Sequence, residues 1–338
     1  MNFSPENNSF SYENGSVSVA KSSQSNSNSS TADSEQSMLE EDDKKLLAPY
    51  HYLCQAPGKH IRTKLSLAFD FWLKIGSERL SEIMDIVQML HNASLMIDDI
   101  EDKSVLRRGM PVAHSIYGVP RTLNAGNYMY FIALKKAIDL GHPDSSKIFT
   151  EQLLELHRGQ GMDIYWRDTV TCPTLDEYCR MVIQKTGGLF GLALQLMQLF
   201  SANKANFKPL TDDLGLLFQI RDDYANLLSQ EYADSKTFAE DLSEGKFSYP
   251  MIYGILHTNP QTQDELINIL RQKPTGIQVK QYCVGVLRKC GALTHTREML
   301  IEIDNRIQQE LAKFEPNPHL NTILDELRPI YEAEITIC

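Results

Sequence analysis

Several things are scarce in this chain, and each scarcity excludes something. Long apolar runs are missing: the most hydrophobic stretch, Gly187 to Phe200, is interrupted by Gln195 and Gln198. A bilayer-spanning helix needs about 20 apolar residues, so no transmembrane segment is expected. Met1 to Ser30 is polar and has no apolar core of the secretory kind, which points to a cytosolic location. Positive charge is in deficit, with 33 Lys and Arg against 44 Asp and Glu and a net charge of −11. That excludes a nucleic-acid binder held by phosphate neutralisation. The six cysteines contain no Cys-x-x-Cys, so neither a zinc framework nor a disulfide framework is expected. Cys172 and Cys179, like Cys283 and Cys290, stand at helical spacing, and buried reduced thiols are the reading for the set. Cys338 is the last residue, so the prenylation pattern, with cysteine fourth from the end, is absent.

What is present divides unevenly. Ser22–Ser34 is rich in Ser, Asn and Gln. It cannot bury enough apolar area to offset its ordering entropy, so residues 1–40 read as a disordered acidic tail. Beyond it, apolar residues recur at steps of three and four. Ile83, Val87, Leu90, Ser94 and Ile97 form one series, and Leu153, Leu154, Leu156 and Ile164 belong to another. Leu189, Leu192, Ala193, Leu196 and Leu199 make a third, Leu214, Leu217, Leu227 and Leu228 a fourth. Alternating strand patterns are missing. The expectation is one all-α domain over about residues 45–335.

Two acidic clusters interrupt the apolar series. In Asp98-Asp99-Ile100-Glu101-Asp102, the first and last aspartates lie about 40° apart on a helix face, with His91 between them in angle. Two such carboxylates about 6 Å apart repel by roughly 3 kcal/mol, a cost that a bridging divalent cation offsets. All-oxygen ligands suit magnesium shared with phosphates. The second cluster is Gln219-Ile220-Arg221-Asp222-Asp223-Tyr224-Ala225-Asn226, where Gln219, Asp222 and Asn226 share a face. A solvated acidic surface is the ordinary explanation of one Asp-Asp pair. Here Leu95-Met96-Ile97 and Leu216-Leu217-Phe218 precede the pairs, which sets both at the ends of core-facing helices. Cations accompany them: Lys59 and Arg62 one turn apart, Arg107-Arg108, Lys185, Lys236 and Lys246. Lys185-Thr186-Gly187-Gly188 places two glycines inside a helical run, where they are expected to weaken the helix and expose backbone groups. Arginine offers a planar fork to phosphate oxygens and lysine a mobile point charge, so the set suits two diphosphates.

With these motifs in order the sequence resembles the trans-prenyl diphosphate synthases, and among them the animal and fungal geranylgeranyl diphosphate synthases. The resemblance runs from Leu46 to Pro329. It is carried by Pro57-Gly58-Lys59-His60-Ile61-Arg62, by Leu90 through Asp102, and by Leu106-Arg107-Arg108-Gly109. Gly159 through Trp166, Lys185 through Gly188, Phe218 through Tyr224 and Glu240 through Lys246 continue it.

The resemblance implies an all-α, single-domain helical bundle around a deep central cavity, the isoprenoid synthase fold. It implies condensation of isopentenyl diphosphate with dimethylallyl, geranyl or farnesyl diphosphate, for isoprenoid synthesis and protein prenylation. Two or three magnesium ions would sit on Asp98, Asp102 and Asp222, with Asp99 and Asp223 in support. The allylic diphosphate would meet Arg107, Lys185, Thr186, Gln219, Lys236 and Lys246. Isopentenyl diphosphate would meet Lys59, Arg62, His91 and Arg108. Asn226 stands where many members carry Asp, and it is not expected to ligate metal directly. A homodimer or a higher homo-oligomer is implied.

Chain length is expected to depend on small residues, Ala93 and Ser94, before the first acidic cluster. The resemblance points to a floor of Tyr130, Phe131 and His157. A class I terpene cyclase shares helices and Asp-Asp motifs, but it would leave Lys59, Arg62 and Arg108 unexplained.

Overall fold

The computed structural model describes residues 40–56, 58, 61–228 and 238–332. The body considered below begins at Leu46. The expected tail, together with Lys59 and Lys236, falls outside the described residues.

The core helices follow the apolar periodicity. α1 is Ala48–Cys54, α2 Ile61–Leu73 and α3 Ser77–Glu101. On α3, Ile83, Ile86, Val87, Leu90, Ala93 and Met96 are buried at steps of one to four, a full apolar stripe ending at Asp98. A short hairpin follows, β1 Leu106–Arg107 against β2 Met110–Pro111, and then α4 Ala113–Tyr117 and α5 Val119–Asp139. The long helices α6 Ser145–Thr169, α7 Leu175–Phe200 and α8 Lys208–Leu228 complete the cavity wall. The chain continues through α9 Glu240–Glu244, α10 Tyr249–Leu256, α11 Pro260–Gln272, α12 Ile277–Lys289, α13 Ala292–Leu311, α14 Pro318–Leu327 and α15 Pro329–Glu332. A capping box starts α7: the Glu177 N–H donates to Thr174 Oγ1 at 3.2 Å, and the Thr174 N–H donates back to Glu177 at 2.8 Å. The all-α expectation holds with one exception, the hairpin, whose two-residue strands are too short to show alternation.

Glycine sets how closely the wall helices approach. A Cβ at Gly159 of α6 would stand 2.7 Å from Lys185 N and 2.9 Å from Met181 O. At Gly215 of α8, a Cβ would stand 3.1 Å from Gly187 Cα. Gly187 and Gly188 are therefore not points of exposed backbone, as expected from the sequence; both are buried at helix crossings. The thiols also depart in part from the buried reading. Cys283 is buried, Cys172, Cys179 and Cys290 are partly covered, and Cys54 is exposed; all five are free.

Candidate active site

The crossings bring polar side chains of α3, α6, α7, α8 and the α9 segment around one cavity of about 310 Å³, at the low end of small-molecule sites. The first acidic wall is the C-terminal turn of α3. Asp98 receives Arg107 Nη2 at 3.3 Å and Gln160 Nε2 at 3.1 Å, with Lys185 Nζ at 3.6 Å. Burial alone would raise its carboxyl. The ammoniums of Lys185 and Lys246 and the Arg107 guanidinium outweigh burial and hold it well below the usual carboxylate range. Asp99 turns inward, 1% exposed, and accepts from Arg107 Nε at 2.8 Å. Asp102 is gripped by Arg167 and by Lys246, whose Nζ lies 2.6 Å from Asp102 Oδ2 and 2.6 Å from Glu244. Burial pushes the Asp102 carboxyl up to about 6, against the opposing charge of Lys246.

The hairpin aims the arginines. Its central residues Arg108 and Gly109 both have positive φ, 55° and 77°, as a type I′ turn requires. Arg107 therefore points to α3, while Arg108 Nη1 donates to Ala56 O at 2.6 Å. A Cβ on Gly58 would lie 2.7 Å from Arg108 Nη2, so any larger residue there would displace the guanidinium. Arg62 Nη1 sits 3.2 Å from His91 Nε2, over the Phe190 ring at 5.3 Å. Burial, with Arg108 nearby, brings Arg62 down to about 10, still a cation at neutral pH. Burial and the surrounding arginines push His91 well below its ordinary value, so its imidazole is neutral. Among the described residues, Arg62 and Arg108 have no carboxylate within ion-pair distance and Arg62 Nε has no hydrogen-bond partner.

The second wall, on α8, is built differently. Asp222 and Asp223 both line the cavity. Asp223, 5% exposed, accepts from Tyr178 Oη at 2.5 Å, Tyr249 N at 2.8 Å and Gln219 Nε2 at 2.9 Å. Gln219 in turn accepts from Thr186 Oγ1 at 2.9 Å. Burial pushes Asp223 up to about 6 against these donors. Asn226 does not line the cavity.

Below the charged mouth the lining turns apolar, with Leu95, Ile97, Leu156, Met181 and Leu189. Ser94, Tyr130 and His157 line it as expected, the last two in edge contact at 5.8 Å. Two chain-length residues are placed otherwise. Phe131 is 69% exposed and does not line the cavity, because successive residues on α5 point about 100° apart. Ala93 packs in a second apolar cluster with Tyr50, Leu53, Met96, Ala125 and Met129, so its small size serves helix packing.

Several site residues received no role from the sequence. Asp163 pairs with Lys185 at 2.7 Å, Gln160 bridges Asp98 and Glu101, and Arg167 holds Asp102. Glu240, Asp241 and Glu244 bring a third acidic group to the mouth. The helical spacing of Gln160 with Asp163 and of Asp241 with Glu244 was a signal for both. No three His, Cys, Asp or Glu side chains converge as a metal cage among the described residues. That donor arrangement fits magnesium, which takes one or two carboxylates and completes its shell with water and substrate phosphates.

Comparison with known proteins bears on this geometry. The chain is 54% identical over 285 residues to a terpene synthase of Matsumurasca onukii, covering 84% of this chain and 93% of that one. It is 46% identical over 290 residues to a geranylgeranyl pyrophosphate synthase of Dictyostelium discoideum, covering 86% and 95%. A geranylgeranyl pyrophosphate synthase of Mucor circinelloides f. lusitanicus is 48% identical over 283 residues, covering 84% and 93%. The profile described as Polyprenyl synthetase matches residues 43–287, which contain both acidic walls, the hairpin arginines and the α9 segment. The chain belongs to the polyprenyl synthetase family.

Proposed function

We propose that this protein is a geranylgeranyl diphosphate synthase, adding isopentenyl diphosphate to dimethylallyl, geranyl or farnesyl diphosphate. The observation that carries the reading is the pair Arg62 and Arg108 beside an acidic cavity. Two arginines without a carboxylate partner among the described residues offer an anion site at the edge of the cavity, Arg62 in its lining and Arg108 beside it. A second diphosphate satisfies them.

In this reading Asp98, Asp102 and Asp222 hold magnesium, while Asp99 and Asp223, turned inward, keep the two helix ends in place. A magnesium ion held there would supply positive charge to the departing diphosphate. Arg107, Lys185 and Lys246, now spent on carboxylates, transfer hydrogen bonds to phosphate oxygens when substrate enters. Thr186 and Gln219 add neutral donors, and Lys236 belongs to the same set. Lys59, Arg62, His91 and Arg108 bind isopentenyl diphosphate. The cation left on the allylic fragment is attacked by the double bond of isopentenyl diphosphate, a proton leaves, and the released diphosphate takes it. The growing chain descends past Ser94 toward Tyr130 and His157.

The similarity to a terpene synthase supplies a second reading, cyclisation of one prenyl diphosphate. Incubation of the purified protein with isopentenyl diphosphate and each allylic diphosphate, followed by phosphatase treatment and sizing of the alcohols, decides between them. A twenty-carbon linear alcohol that requires isopentenyl diphosphate is expected. Hydrocarbon formed from farnesyl or geranylgeranyl diphosphate alone would overturn the condensation.

The protein is proposed to work in the cytosol as a homodimer or a higher homo-oligomer. No described helix is long and apolar enough to cross a membrane. Val119, Leu123, Phe131 and Ile138 form an exposed apolar stripe along α5, continued on α6 by Leu154, Met162 and Tyr165. Such a stripe suits a second copy of the chain. Sedimentation of Phe131→Asp should show a shift to monomer.

A further inference from the structure

Two buried polar side chains lie outside the cavity lining and take no part in the chemistry above. Lys280 of α12 is 4% exposed and Asn226 of α8 is 3% exposed. Both reach the segment that carries Glu240, Asp241, Glu244 and Lys246 to the mouth of the cavity. Lys280 Nζ donates to Phe238 O at 2.8 Å, at the point where the chain enters the segment. The carbonyl of Asn226 accepts from Ala239 N at 3.3 Å, and its side-chain Oδ1 accepts from Asp241 N at 3.4 Å.

We propose that Lys280 and Asn226 are positioning residues that clamp the segment Ala239–Lys246, and so set where the third acidic group and Lys246 meet the substrate diphosphate.

The chemistry of each residue suits the task. A buried ammonium is costly unless its charge is answered. Lys280 satisfies one donor on Phe238 O and feels the carboxylates of Glu240 and Glu244, which oppose the lowering by burial. Its positive charge sits behind the acids and counters their mutual repulsion. Asn226 offers Asp241 N a side-chain oxygen, which an aspartate would offer equally. Ala239 is in the left-handed region at φ 47°, a conformation that persists only where neighbours fix it. Inside the segment, Lys246 N closes on Asp241 O at 2.9 Å and Ser243 Oγ donates to Pro274 O at 2.9 Å. A shift at either clamp therefore moves Lys246, whose Nζ touches Asp102 and Glu244.

The inference rests on the condensation reading, and the test separates the two. Wild-type protein must first make prenyl alcohol from isopentenyl diphosphate; if it does not, the function proposed above fails and the clamp with it. Given active wild type, Lys280→Met and Asn226→Leu remove the charge and the acceptor, whereas Lys280→Arg and Asn226→Asp retain them. The first pair should lose about 10–100-fold in kcat, the usual effect of removing a group that orients ligating side chains. Half-saturating magnesium should rise, with KM for isopentenyl diphosphate held within about twofold, since Arg62 and His91 are untouched. The second pair should stay near wild type. Calorimetry of inorganic diphosphate with magnesium gives a readout apart from turnover: affinity should fall about tenfold in Lys280→Met and recover in Lys280→Arg. If Lys280→Met cannot be obtained folded, Asn226→Leu against Asn226→Asp poses the same question. Wild-type diphosphate affinity and magnesium dependence in Lys280→Met or Asn226→Leu, whatever their melting temperatures, would overturn the clamp. So would an equal rise in KM for both substrates.

Discussion

On α3, Asp98, Asp99 and Asp102 each meet a cation: Asp98 meets Arg107 and Lys185, Asp99 meets Arg107, and Asp102 meets Arg167 and Lys246. On α8, in the same Asp-Asp arrangement, the buried Asp223 meets, among the described residues, neutral donors: the Tyr178 hydroxyl, the Tyr249 amide and the Gln219 amide. The consequence is a difference in charge economy. Cations outweigh burial at Asp98 and hold it ionised far into acid, whereas burial leads at Asp223 and brings it up to about 6. Burial leads also at Asp99 and Asp102, so the contrast is one between Asp98 and Asp223. One motif, repeated on two helices, therefore yields two kinds of wall. The α3 wall holds cations on its carboxylates. The α8 wall is a rigid hydrogen-bonded frame with Asp222 beside it.

The largest effect should come from removing a carboxylate from each wall in turn. Asp98→Asn and Asp222→Asn are each expected to lower kcat by at least about 10²-fold, the scale of losing one preorganised electrostatic group. Circular dichroism should show the helical fold intact. If Asp222→Asn turned over like wild type while Asp98→Asn did not, the α8 wall would be a frame only, and the two walls would differ more than proposed.

A smaller effect tests Arg62 and His91, which line the same cavity as the two walls. Arg62→Ala or His91→Ala should raise KM for isopentenyl diphosphate about 10–100-fold, the range for losing a hydrogen bond to a charged group. KM for the allylic partner should change little. An equal rise for both would merge the two subsites.

The sequence made the helices and the angular order of His91, Asp98 and Asp102 legible, because periodicity reports which residues share a face. Arg107 and Arg108 were legible as a basic pair just after the first cluster; that Arg107 meets Asp98 and Asp99 while Arg108 turns to Ala56 O is set by the hairpin. What lies opposite a face is set by long-range packing. The Lys185–Asp163 and Arg167–Asp102 pairs join residues on different helices, and nothing in the spacing of either partner announces them. Phe131 was misplaced for a related reason. Its neighbour Tyr130 does line the cavity, and one step along α5 carries a side chain about 100° away from it. Gly187 and Gly188 were legible as unusual within a helix, but only the fold shows Gly215 coming within reach of Gly187.

The product length proposed above would be set on the α3 side of the cavity. Ser94 lies one turn before Asp98 and its hydroxyl donates to His91 O at 2.9 Å, leaving its edge on the cavity. Ser94→Tyr should shift the main product from twenty carbons to fifteen, and Tyr130→Ala should admit longer chains. Both are read by sizing the alcohols. An active Ser94→Tyr with unchanged product length would move the control elsewhere. Phe131→Ala, on the outer face of α5, serves as the comparison and should leave the chain length alone.

The smallest effect is on stability, and it isolates the property that divides Asp98 from Asp223. Asp223 has a folded value of about 6 against about 4 in an unfolded chain. Between those values the folded state binds a proton that the unfolded state has released. Stability from this group therefore rises as pH falls from 6 to 4, and the group opposes folding above pH 6. A difference of about two units corresponds to about 2–3 kcal/mol. Asparagine imitates the protonated acid. Its oxygen can accept from Tyr178 and Tyr249, and Gln219 can turn its amide to accept from the new NH₂ group. Asp223→Asn should therefore stabilise the protein without ligands by about 2 kcal/mol at pH 7.5 in denaturant titrations, and the gain should vanish near pH 4. The α3 counterpart should behave in the opposite sense. Asp98→Asn removes an anion that Arg107, Lys185 and Lys246 stabilise, so it should destabilise at pH 7.5. A gain for both variants, or for neither, would show that the cations around Asp98 and the neutral donors around Asp223 do not set the charge states of these two groups.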